Sequence, residues 1–80
     1  IFDMYNGRTE TVRLRFDRAL INVVMDRFGA DAHIRPDGDY IAVTAPVEVG
    51  PTFYGWLFQF GGQAELLAPA HVRRDFAGTG

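Results

Sequence analysis

A chain of 80 residues is one domain, and at that length it buries only about 60% of its unfolded surface or a little more. Its 48% hydrophobic residues, with seven Phe, one Trp and three Tyr, supply one core and exclude disorder, while no apolar run reaches the roughly 20 residues that span a bilayer. The formal charge of −2 removes the simplest electrostatic case for non-specific binding to DNA or membranes, and the absence of Cys excludes disulfides, thiolate metal sites and thiol nucleophiles.

Residues 1–7 carry Phe2, Met4 and Tyr5 and break at the turn dipeptide Asn6-Gly7, so they read as a linker from a preceding domain. With Ile1 at the start and Gly-Thr-Gly at the end, the chain is expected to be a piece of something longer. Residues 11–16 alternate strictly, Val12, Leu14 and Phe16 against Thr11, Arg13 and Arg15, which predicts a strand with one buried and one polar face. Asp17 follows as a helix N-cap. Over residues 18–28 Leu20, Val23, Val24 and Phe28 recur at helical spacing, and Gly29 supplies the stop.

Residues 32–35 and 41–47 alternate on either side of Pro36-Asp37-Gly38-Asp39, predicting a β-hairpin, with Pro46 marking the fraying end of its second strand. Gly50-Pro51 opens a second helix, Pro51 standing where a missing amide costs nothing. This stretch to Gly62 holds the only Trp and the densest aromatic text. Phe53, Trp56, Leu57 and Phe60 form its core stripe, Tyr54 and Phe58 its flank, and Gly55 is expected to let the helix approach a neighbour closely. Residues 64–68 form a last strand. From Pro69 a third helix pairs Val72 with Phe76 beside Arg73 and Arg74 and unravels at Gly78.

The order is strand, helix, strand, strand, helix, strand and a terminal helix. That is an α+β, ferredoxin-like βαββαβ arrangement: a four-stranded antiparallel sheet with helices on one face and an additional C-terminal helix. The domain is expected over residues 8–77, with a flexible tail at 78–80. The opposite sheet face is then open, shared by Arg13, Arg15, His33, Arg35, Thr44 and Glu65.

Chemistry is sparse. His33 and His71 lack metal-ligand spacing, and there is no Ser nucleophile. Asp37 and Asp39 are explained by turn chemistry, and no glycine run forms a phosphate loop. No metal, cofactor or enzymatic activity is therefore expected. All eight positive charges are Arg, a planar fork suited to carboxylates, phosphates and aromatic faces. Arg13, Arg15 and Arg35, with His33, are the candidates for an anionic effector, an acidic partner surface or a nucleic-acid backbone; the competing reading is a solvated face satisfied by Glu10, Glu65 or the aspartates.

The text Val12-Arg13-Leu14-Arg15-Phe16-Asp17, then Arg27-Phe28, then Val49-Gly50-Pro51-Thr52-Phe53-Tyr54-Gly55-Trp56-Leu57-Phe58-Gln59-Phe60-Gly61, continued by Glu65-Leu66-Leu67-Ala68-Pro69 and Val72-Arg73, covers nearly all of residues 7–77. It resembles the C-terminal extension (WCX domain) of WYL-domain, helix-turn-helix (DeoR-like) bacterial transcriptional regulators. One departure is Gly50, where that family often has a serine cap. The resemblance implies regulation rather than chemistry, in a cytoplasmic protein without a membrane segment. Its implied partners are the protein's own WYL and helix-turn-helix domains, a second copy in a homodimer, DNA through the absent domain, and an anionic effector or single-stranded nucleic acid. Arg13, Arg15, His33 and Arg35 become effector or interdomain contacts, and Tyr54 and Phe58 partner contacts. The alternative is a stand-alone module that binds a small ligand or single-stranded nucleic acid on the open sheet. Trp56-Leu57 is not the Trp-Tyr-Leu signature of the WYL domain, so no ligand residue of that domain carries over.

Overall fold

A computed structural model describes residues 8–79; the linker expected at residues 1–7 lies outside them. The elements are β1 (Thr9–Asp17), α1 (Ile21–Phe28), β2 (His33–Asp37), β3 (Tyr40–Glu48), α2 (Pro51–Phe58), β4 (Ala64–Ala68) and α3 (Ala70–Thr79). The sheet order is β2-β3-β1-β4, and every neighbouring pair is antiparallel. Strands β1 and β2 flank β3, and β3 and β4 flank β1, so two strand–helix–strand units interleave. The α+β class holds, and the order is compatible with the ferredoxin-like arrangement expected from the sequence.

The alternation in β1 and β3 decides which face is covered. Val12, Leu14, Phe16, Ile41, Val43, Ala45 and Val47 are all buried, and Leu66 of β4 joins them. The helices contribute Val24, Phe28, Phe53, Tyr54, Leu57 and Val72 to the same core. Trp56 is the hub of the aromatic packing. Its ring lies 5.9 Å from Phe16, 5.5 Å from Phe28, 6.4 Å from Phe53 and 5.0 Å from Phe60, and the Arg27 guanidinium sits 5.3 Å from its centroid. These pairs join α2 to β1 and α1, and edge-to-face pairs add about 0.5–1.5 kcal/mol each beyond area burial.

Several local expectations are corrected. The first helix does not start as an α-helix at Arg18. Asp17 caps a 3₁₀ turn, Arg18–Leu20, by accepting from the Ala19 N–H at 2.9 Å, and α1 begins only at Ile21. The hairpin loop is shorter than expected: Pro36 and Asp37 belong to β2, paired with Ile41 and Tyr40, and only Gly38-Asp39 turn. Gly38 takes φ of +63°, a value that suits glycine and makes so tight a turn possible. Proline is tolerated at position 36 because β2 is an edge strand.

Pro46 does not end β3. Pairing continues through Pro46 with Thr11, Val47 with Glu10 and Glu48 with Thr9. Strand β2 reaches only as far as Thr44, so beyond it β3 has one neighbour and a missing N–H leaves no partner stranded. Helix α2 stops at Phe58, yet the Phe60 ring still reaches Phe16 at 6.1 Å from the turn that follows. Gly55 is exposed, and a Cβ built there meets nothing within 4 Å, so it marks no close approach. Helix α3 runs through Gly78 to Thr79, whose hydroxyl donates to the Asp75 carbonyl at 2.9 Å.

Candidate functional site

The open sheet face is assembled by register. Arg13 of β1 lies opposite Thr44 of β3, which lies opposite His33 of β2; one step along, Arg15, Ala42 and Arg35 form the next row, with Glu65 of β4 beside Arg15. A third row holds Asp17, Tyr40 and Asp37. Residues two apart on a strand are separated by about 7 Å and adjacent strands by about 4.8 Å, so Arg13, Arg15 and Arg35 bracket a patch about 10 Å across. The six residues expected to share the face occupy these two rows.

Their environments differ. Arg15 is engaged on both sides: its guanidinium donates to Glu65 at 2.5 Å and stacks 5.0 Å from the Tyr40 ring centroid. Both partners of that ion pair are substantially solvated, which limits the pair to about 1 kcal/mol or less. Arg13 and Arg35 have no ion-pair partner among the described residues, and both are exposed. His33 is exposed at the end of β2. Among the described residues the face therefore presents two unneutralised guanidinium groups beside a third that is paired with Glu65. Such groups suit carboxylate or phosphate oxygens.

Tyr54 and Phe58 do not behave alike. Tyr54 is 3% exposed, and its hydroxyl donates to an Asp75 carboxylate oxygen of α3 at 2.6 Å. Burial, then the hydrogen bond to that carboxylate, pushes its phenol well above its ordinary range. It is a core residue that anchors α3, not a flank residue open to a partner. Phe58 is 41% exposed and stacks on Phe76 with centroids 4.4 Å apart.

A second polar assembly lies on the helix side of the sheet, built from residues far apart in sequence. His71 of α3 lies 2.7 Å from Glu10 of β1, whose other carboxylate oxygen accepts from Arg8 at 3.1 Å. Arg8, Val49, Tyr54, His71, Val72 and Asp75 line a cleft of about 310 Å³. No local motif marks it, because Glu10 and His71 are 61 positions apart. Among the described residues no group of three or more His, Asp or Glu is placed to hold a metal ion, and no helix is long and apolar enough to cross a membrane.

The family model described as the WCX domain matches residues 8–80. No curated protein and no solved structure matches the chain.

Proposed function

The chain belongs to the WCX domain family, the C-terminal extension of WYL-domain regulators, and on that premise we propose that it couples effector sensing to DNA binding carried elsewhere in a longer transcriptional regulator. The family match over residues 8–80 is the observation that carries this reading. In it, the domain is a regulatory module of a bacterial, cytoplasmic protein, and its own chemistry is recognition rather than catalysis. Arg13 and Arg35, with His33, meet an anionic effector or an acidic surface of the neighbouring domain, while Arg15 keeps the patch in shape through Glu65 and Tyr40. Phe58, exposed on α2, supports self-association into a homodimer.

The test uses the full-length regulator. Replacing Arg13 and Arg35 together by Glu leaves the fold intact and abolishes the effector dependence of operator binding; unchanged dependence overturns their assignment. Sedimentation of the chain and of its parent checks the dimer, which strictly monomeric behaviour of both excludes. The open face, with its arginines and Tyr40, also supports direct binding of single-stranded nucleic acid. Titrating the chain with a short single-stranded oligonucleotide at two salt concentrations separates the readings, since contacts to phosphates weaken as salt rises.

A further inference from the structure

The cleft between the start of β1, α2 and α3 lies on the helix side of the sheet, away from the arginine face. Glu10 shares the strand parity of Val12, which points into the core, so it and Arg8 approach the cleft from the covered side. The walls are mixed: Val49 and the buried Val72 are apolar, and the charged groups stand around them. A volume of about 310 Å³ falls at the lower end of ligand pockets, the size class of a small metabolite.

The charges are unevenly matched. Arg8 and His71 both turn to one carboxylate, Glu10, at 3.1 and 2.7 Å. Asp75 receives only the Tyr54 hydroxyl, on one of its oxygens, and has no cationic partner among the described residues. Arg8 uses a single Nη on Glu10 and remains 77% exposed, so most of its five donors have no partner among the described residues. Among the described residues the cleft thus offers an unneutralised carboxylate and spare guanidinium donors, with the half-buried Val49 as its accessible apolar wall. His71 and Asp75 are one turn apart on α3 and share a face, about 5–6 Å between their Cβ atoms. Arg8 and Asp75 both line the cleft, so it has a cationic and an anionic group in its walls.

We propose that this cleft binds a small zwitterion, an α-amino acid with an apolar side chain. The ammonium group donates to the free oxygen of Asp75, the carboxylate accepts from Arg8, and the side chain lies on Val49, above the buried Val72. The Tyr54 hydroxyl fixes the Asp75 carboxylate in place before the ligand arrives. This site is independent of the arginine face, and either can fail alone.

The test is a titration of the chain with L-leucine, read by nuclear magnetic resonance at Val49, Val72 and Arg13. Saturable shifts at Val49 and Val72, with none at Arg13, are expected. Isopentylamine, which lacks the carboxylate, and 4-methylpentanoate, which lacks the amine, each bind about tenfold or more weakly, because each loses a charge-assisted contact. Asp75→Asn, which keeps an acceptor for Tyr54, and the exposed Arg8→Gln each weaken leucine by a similar factor, while Arg13→Ala leaves it unchanged. The proposal is overturned if millimolar leucine leaves Val49 and Val72 unmoved. Equal binding of isopentylamine, or of leucine to Arg8→Gln, also overturns it, since the carboxylate would then have no partner in the cleft.

Discussion

The two faces of the sheet are built from alternate residues of the same strands, yet they carry different duties. In β1, Val12, Leu14 and Phe16 are fully buried, whereas Arg13 between them is exposed and Arg15 is held at the surface by Glu65 and Tyr40. In β3 the same division separates Ile41, Val43, Ala45 and Val47 from Tyr40, Ala42 and Thr44. The described helices all pack on the first face, and apolar burial stabilises at about 25 cal/mol per Å². The comparison teaches that stability and recognition are separable here by strand parity alone, so substitutions one residue apart should affect different measurements.

The largest effect is expected on the covered face. Phe16→Ala removes a ring packed against Trp56 and Phe60 and should cost about 3–5 kcal/mol in urea unfolding. For a domain of 80 residues, with a total stability of about 4–12 kcal/mol, that is a large share. A loss below about 1 kcal/mol would mean that the aromatic clamp does not hold α2 to the sheet.

Tyr54→Phe comes next, at about 1 kcal/mol for the hydrogen bond to Asp75. The same residue gives the chain a pH signature. Folding holds the phenol neutral, above the ordinary Tyr value of about 10, so this contribution is fully present below about pH 10 and is lost as pH rises beyond it, where the unfolded chain releases the proton first. Stability of the wild type should fall above about pH 10 more steeply than that of Tyr54→Phe, and parallel curves would remove Tyr54 as the cause.

A gain is expected at Gly55→Ala. The position is exposed, lies inside α2 and has open space around its Cβ, so removal of the glycine penalty should raise stability by up to about 1 kcal/mol. A loss in thermal unfolding would restore the close approach that the sequence suggested. The smallest effects belong to the open face. Arg13→Ala and Arg35→Ala should each change stability by no more than about 0.5 kcal/mol, and a double-mutant cycle on Arg15 and Glu65 should yield about 1 kcal/mol or less. A larger change at Arg13 would blur the division between the faces.

The strands and their parity were legible because alternation is a local property: residues 11–16 and 41–47 each state which side is apolar, and 64–68 matches β4 end to end. From that, the sharing of one face by Arg13, Arg15, His33 and Arg35 follows once the strand order is known. Position within a helix was harder to read. Spacing alone put Tyr54 on a flank, but α3 lies against it, and no periodicity within α2 reports a neighbour that arrives 21 residues later. Gly55 failed for the complementary reason, since a glycine looks the same in sequence whether a neighbour is close or absent. Pro46 reads as a strand end because its missing donor is a local fact, while the shortness of β2 that makes it harmless is not.

The sequence by itself determined the element order, the buried stripe and the family to which Val49 to Gly61 points, all of which rest on spacing along the chain. The tertiary structure alone decided that, among the described residues, Arg15 has a partner while Arg13 and Arg35 have none, that Tyr54 is an anchor, and that Arg8, His71 and Asp75 meet around one cleft. Charge pairing and cavity formation depend on distances between residues far apart in sequence, and only the packing of α3 against β1 and α2 brings those residues within reach.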